Sequence, residues 1–249
     1  MKKQKITITI LMTIFCLFGI KNAHSSSEAD SLSNMERSFV AIAATTAKGD
    51  LSKLQVELNN GLNAGLTINQ TKEAIIHLYA YAGFPRSIRG LQTLMTVIDE
   101  RKEQQVNDAI GADASFINDE DSKYHRGKEI LEQLTGIPEN DIKTGYAAFA
   151  PTIEVFLKEH LFADIFERDI LTYAERELVT VSVLASIGGV EPMLKSHLNI
   201  CLNVGLTEKQ LHEFITIIND KIGKSEADSA KKVLEEVLAS RNKNNQVTH

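Results

Sequence analysis

Apolar residues recur along this chain at helical spacing, and the pattern occurs twice. In "LKSHLNICLNVGLTEKQ" (194–210), Leu194, Leu198, Cys201 and Leu202 fall at i, i+4, i+7 and i+8, the buried stripe of an amphipathic helix. His197, three residues after Leu194, lies at the edge of that stripe. Gly205 suits the left-handed end of the helix, and Thr207-x-x-Gln210 opens the next helix with a capping box. The segment "ELNNGLNAGLTINQTKE" (57–73) repeats "HLNICLNVGLTEKQLHE" (197–213): Gly65 aligns with Gly205, and Leu58, Asn59, Leu62, Asn63, Leu66, Thr67, Gln70 and Glu73 all meet identical residues. Upstream, "MERSFV" (35–40) matches "AERELV" (174–179) with the offset shortened by one residue. The pattern predicts a tandem duplication of a helical unit.

Before each helix–Gly–turn–helix runs a more uniformly apolar stretch, "FVAIAATTAKG" or "LVTVSVLASIGG", expected to lie in the core. The second of these has its own capping box, Thr172-x-x-Glu175. Between the copies, "NDAIGADASFINDEDSKY" is polar and acidic without a helical period. "HRGKEILEQLTG" and "PTIEVFLKEHLFADIFER" then read as two further helices, and "RNKNNQVTH" as a solvated tail. The expected division is a first repeat over 33–105, a linker over 106–121, a second repeat over 122–240 and a polar tail over 241–249. No alternating strand pattern of any length occurs, so the expected fold is all-α.

Composition changes this picture at the N-terminus. Lys2, Lys3 and Lys5 precede an uncharged, mostly apolar run over 6–20, and Ala23-His24-Ser25 offers a cleavage site. That is the pattern of a signal peptide over 1–25, with an uncleaved membrane anchor as the alternative, so the chain is expected to be exported, periplasmic or secreted. The apolar run is shorter than the roughly 20 residues a membrane span needs. Cleavage removes Lys2, Lys3, Lys5 and Lys21 and no acid, taking the formal net charge from −6 to −10. So acidic a chain has no electrostatic reason to bind nucleic acid or an anionic membrane surface. Of its two cysteines only Cys201 remains, which excludes an internal disulfide.

The motifs, taken in order, resemble the carboxymuconolactone decarboxylase family, an all-α group that includes the alkylhydroperoxidase D-like proteins. They are "HRGKEILEQLTG", "FLKEHLFADIFERDILTYAERELVTVSVLAS" and "KSHLNICLNVGLTEKQLHE" in the second copy, and "LNNGLNAGLTINQTKEAIIHLYAYAGFPRSIRGLQTL" in the first. The resemblance implies a catalytic histidine at His197 facing a glutamate one core helix upstream, here Glu177. A carboxylate in that place fixes the imidazole tautomer, and the pair can serve as general acid and base. It implies a lyase or isomerase on a small carboxylated or lactone substrate, with no metal and no organic cofactor. Peroxidase members carry a C-x-x-C at the positions held here by Val190 and Met193, so the chain lacks their thiols. A peroxidase-like oxidoreductase and a non-catalytic binding or scaffold protein are the alternatives.

In the first copy Glu57 replaces the motif histidine and Ser38 the glutamate, while only that copy has the Tyr81-Ala82-Gly83-Phe84-Pro85 turn. The halves therefore either build one composite site or have diverged separately. His77, Tyr81, Arg168 and Arg176 are candidates for substrate contact. Against this stand plainer roles. His77 would be a half-buried ring near a helix end, Tyr81 would pack around the turn, and the arginines would pair with Asp164, Glu167 or Glu175. Glu57 is expected to meet a neighbour such as Arg37, and His160 to lie at the surface. The mature chain is expected to self-associate, since small units bury apolar helices best against copies.

Overall fold

Two helices that show almost no polar face form the centre of the structure. The computed structural model describes residues 30–117, 119–140 and 142–247, and the expected signal peptide lies outside them. Helix α1 (Asn34–Lys48) buries every residue from Ser38 to Ala47, and α8 (Tyr173–Ile187) buries every residue from Arg176 to Ser186. They pack against each other, and each serves both halves. Phe39, Ile42 and Ala43 of α1 enter the core of the first repeat, whereas Val40, Ala41 and Ala44 enter that of the second. Reciprocally, α8 gives Leu178 and Val181 to its own core and Val179 and Val183 to the other.

Around α1 the first repeat folds α2 (Leu51–Asn63), α3 (Ile68–His77) and α4 (Tyr79–Glu103); around α8 the second folds α9 (Glu191–Asn203), α10 (Glu208–Lys221) and α11 (Lys224–Val247). The duplicated turn forms alike in both. Gly65 and Gly205 each take φ 100, Leu66 N–H donates to Gly61 O, and Leu206 N–H donates to Cys201 O. Thr67, Thr207 and Thr172 close full capping boxes with Gln70, Gln210 and Glu175. Among the described residues there is no strand, and no helix is long and apolar enough to cross a membrane.

The second repeat carries an extension: α5 (Lys123–Thr135), α6 (Gly145–Phe149), α7 (Pro151–Phe156) and a π-helix over Leu157–Phe166. The apolar spacing of "PTIEVFLKEHLFADIFER" suggests one regular α-helix; the chain instead widens to i→i+5 winding. There α5 comes so close that a Cβ on Gly127 would lie 1.8 Å from the Lys158 carbonyl oxygen. The linker is not free either. Ala109 O and Ile110 O accept from the Ile68 and Asn69 amides at 2.9 Å, and so complete the N-terminus of α3. The tail continues α11 in helical form to Val247.

A crossed pair of ion bridges ties the repeats together. Arg176 of α8 reaches Glu73 of α3 at 2.8 Å, with side-chain exposures of 0% and 1%. Arg37 of α1, its counterpart, bonds Glu213 of α10. These pairs occupy equivalent places in the duplication but different environments, since the Arg37 side chain is 43% exposed. Glu73→Ala leaves a buried guanidinium uncompensated and should cost about 3–5 kcal/mol of unfolding free energy. Glu213→Ala should cost no more than about 1 kcal/mol. Urea unfolding of the two variants measures the difference, and equal losses would mean that burial does not govern the clamp.

Candidate active site

The N-terminal half of α8 turns Arg176, Glu177 and Thr180 toward three different neighbours. Arg176 lies one helical turn before Thr180, and the Thr180 hydroxyl donates to the Arg176 carbonyl at 2.9 Å. His77, the last residue of α3, enters between them: its Nε2 lies 2.8 Å from Thr180 Oγ1 and its Nδ1 3.3 Å from Arg176 Nη1. Because Arg176 can only donate and the Thr180 hydrogen is already committed, the network assigns His77 as the neutral Nε2–H tautomer. Burial first, then the Arg176 charge and His197, hold its pKa well below the ordinary 6.5. His77 is fully buried rather than half-buried, with both nitrogens engaged within the protein.

Glu177 points the other way, toward α9. Its Oε2 lies 2.8 Å from His197 Nδ1, and the carboxylate has no exposed surface while the imidazole keeps 12%. The carboxylate accepts the Nδ1 proton and leaves Nε2 as the free position of the ring. The Tyr81 ring stands edge-on to His197 at 5.6 Å between centroids, and 5.6 Å from His77 on its other side. Gly83 makes this placement, since its φ of 81° bends α4 just beyond Tyr81, and Pro85 starts the straight run that follows. Tyr81 packs against all three hydrophobic clusters of the molecule. The His77–Tyr81 pair of the first repeat thus meets the Glu177–His197 pair of the second, so the cluster draws on both repeats.

Three buried side-chain atoms lack a hydrogen-bond partner among the described residues, Tyr81 Oη, Glu177 Oε1 and Arg176 Nε, and all three belong to this cluster. Burial, then the Glu177 charge, pushes the Tyr81 phenol well above its ordinary pKa, so it stays protonated. The same two causes raise the Cys201 thiol, which is fully buried. The described clefts do not open on the His197 ring; the one that approaches has a volume of about 450 Å3 and is walled by Tyr81.

The other candidates meet different partners from those expected. Arg168 grips Glu73 with Nε at 2.9 Å and Nη2 at 3.0 Å. Both arginines therefore pair with an acid of the first repeat, not with Asp164, Glu167 or Glu175. Burial pushes the Glu73 carboxyl up, but hydrogen bonds from Arg168 and Arg176 outweigh it and leave its pKa below the ordinary 4.5. Glu57 meets Lys221 at 3.1 Å instead of Arg37. His160 is half exposed, 3.0 Å from Asp164, and sits on the π-helix. Among the described residues no three His, Cys, Asp or Glu side chains converge as a metal site would require. Sequence reasoning overlooked Glu73, although its identity with Glu213 across the duplication signals it.

The fold and the cross-repeat cluster define an all-α tandem-repeat protein. The model of the carboxymuconolactone decarboxylase family matches residues 20–94 and 151–236, and the chain belongs to that family. A curated relative, the 4-carboxymuconolactone decarboxylase of Acinetobacter baylyi, is 29% identical over 123 residues, which span 49% of this chain and 90% of the relative. The matched stretch is thus about half of this chain and nearly the whole of the relative.

The buried His77 gives the site a pH signature. Unfolded, it accepts a proton near the ordinary 6.5; folded, it does so only at much lower pH. From about the ordinary 6.5 down to that lower pH the unfolded state binds more protons than the native state, so stability falls as pH falls, by up to about 1.4 kcal/mol per unit. Glu73 loses its contribution only below its ordinary 4.5, outside this window. The decline in melting temperature between about pH 7 and pH 5 should be shallower in His77→Gln than in the wild type. Equal slopes would show that His77 accepts its proton in the folded state.

Proposed function

We propose that this chain is an exported, cofactor-free lyase or isomerase acting on a small carboxylated or lactone substrate. His197 is its general acid and base, and Glu177 orients His197. The observation that carries the reading is the 2.8 Å bond between Glu177 Oε2 and His197 Nδ1 beside two unpartnered buried polar atoms. An unmade hydrogen bond inside a protein costs about 1–3 kcal/mol, so such atoms are common where a ligand completes them. In a decarboxylation the bond to the carboxylate carbon breaks, carbon dioxide leaves, and the electron pair remains as an enolate. The imidazolium then delivers its Nε2 proton to carbon and is reprotonated from solvent. Tyr81, kept as a phenol, is the donor we assign to the enolate oxygen. His77, Arg168 and Arg176 take a supporting part, holding Tyr81 and α8 in place. The relative's name makes 4-carboxymuconolactone the first substrate to assay.

Self-association belongs to the same reading, since Phe149 and Phe156 of the extension leave large apolar surface exposed. A second reading, a binding protein that keeps the Glu–His pair as a structural device, draws on the absence of His197 from the linings of the described clefts. The peroxidase alternative has little support, with Val190 and Met193 at the redox positions and a deeply buried Cys201.

With a substrate that turns over, His197→Ala should lower kcat by about 10²–10⁴ while leaving the melting temperature within a few degrees. Unfolding without specific loss of turnover, or ligand binding without turnover in the wild type, would favour the binding protein. Organic hydroperoxides supplied with a thiol reductant should react no faster with the wild type than with Cys201→Ser. A thiol-dependent rate that disappears in that variant would reinstate the peroxidase.

A further inference from the structure

We propose that Arg86 is the carboxylate anchor of a substrate cleft between α1, α4 and α8, one that accepts an anionic head on a compact apolar body. The inference rests on the proposed reaction and adds a binding residue to it. The cleft, of about 450 Å3, is within the usual size of small-molecule sites. Its lining is mostly polar, with Lys48 and Arg86 as its two cations; Ala47, Ala82 and Ile187 supply an apolar part, and Tyr81 forms one wall. Through the edge-on contact of Tyr81 with His197, the cleft adjoins the Glu177–His197 pair.

The two cations are not equivalent. Lys48 is neutralised by Glu226 at 2.7 Å. Arg86 has neither an ion-pair nor a hydrogen-bond partner among the described residues. The duplication shows why. Arg86 occupies in the first repeat the place of Glu226 in the second, and Ile187 occupies in α8 the place of Lys48 in α1. Where one half carries the Lys48–Glu226 bridge, the other sets a guanidinium beside an isoleucine at the cleft. The guanidinium is also seated, since a Cβ on Gly49 would lie 1.5 Å from its Nη1. Arg86 is exposed at the cleft, and its planar fork is of the kind that captures a carboxylate in bidentate fashion.

Benzoate and its uncharged analogue benzamide probe the cleft without requiring a known substrate. By titration calorimetry, benzoate should bind saturably to the wild type and benzamide should not. Arg86→Gln should weaken benzoate about tenfold or more, as expected for a lost charged hydrogen bond. Arg86→Lys, which lacks the fork, should restore only part of the affinity. Lys48→Met, which removes a charge already paired, should change it less than about twofold. No saturable binding, unchanged binding in Arg86→Gln, or an equal loss in Lys48→Met would overturn the assignment. Its failure is separable from that of the proposed reaction. Arg86-dependent binding without turnover of carboxylated lactones would leave the anchor and remove the reaction. Turnover that needs His197 but is indifferent to Arg86 would do the reverse.

Discussion

Arg176 is a guanidinium with no exposed surface, and the centre of the molecule is arranged to keep it charged. Burial lowers its pKa, and the adjoining Glu73 carboxylate opposes that effect. A charge in such a place persists only if paired and hydrogen-bonded, and every partner is fixed: Glu73 and His77 by α3, and the Arg168 carbonyl by the turn before α8. Because α3 belongs to the other repeat, the halves cannot separate without exposing an unpaired charge. The clamp also fixes the rotation of α8 about its axis. With Arg176 directed at α3, the next residue, Glu177, lies about 100° round the helix and meets α9 at His197. The Glu–His pair therefore depends on an ion pair that no substrate need touch.

The duplication keeps this frame and divides the chemistry. Both repeats retain the arginine on the core helix and the glutamate on the third helix. Only one keeps each of the groups that could do proton chemistry. Opposite Glu177, His197, His77 and Tyr81 stand Ser38, Glu57, Ile217 and Lys221. The second set closes on itself: Lys221 bonds Glu57, and Asn60 donates to the other Glu57 oxygen at 3.2 Å. The first set leaves Tyr81 Oη and Glu177 Oε1 without partners. Among the described residues one half-interface is satisfied internally and the other is not, an asymmetry in line with the ligand role proposed for the second.

What could be read from the sequence follows the range of the interactions. The apolar stripes, the glycine turns and the capping boxes are set by residues within one or two helical turns, and these appear where the spacing puts them. The duplication extended that reach, because identical residues at Leu58, Gly65 and Glu73 revealed the repeat before any packing was known. What escaped is long-range. Nothing local says that Arg168 and Arg176 turn away from Asp164, Glu167 and Glu175, which lie close in sequence, toward Glu73 some hundred residues distant. Nor does the apolar period of "LKEHLFADIF" distinguish a π-helix from an α-helix, or show that α5 packs closely against it at Gly127. The burial of His77 was underestimated for the same reason: its ring is covered by α8, an element of the other repeat.

The electrostatics of Glu177 bear on which chemistry the cluster can support. Its charge acts on Tyr81 and on Cys201, and in both cases it adds to burial in favouring the protonated form. A thiol held in that state is a poor nucleophile, because the thiolate is the reactive species. A phenol held in that state remains a hydrogen-bond donor. One buried carboxylate therefore disfavours a cysteine-based cycle at Cys201 and maintains a donor at Tyr81, while its hydrogen bond to Nδ1 leaves His197 Nε2 free to exchange a proton. Val190 and Met193 act in the same direction, by omitting the pair of thiols that would need the opposite field. Both features support the proton-transfer reading proposed for this chain over a thiol cycle at Cys201.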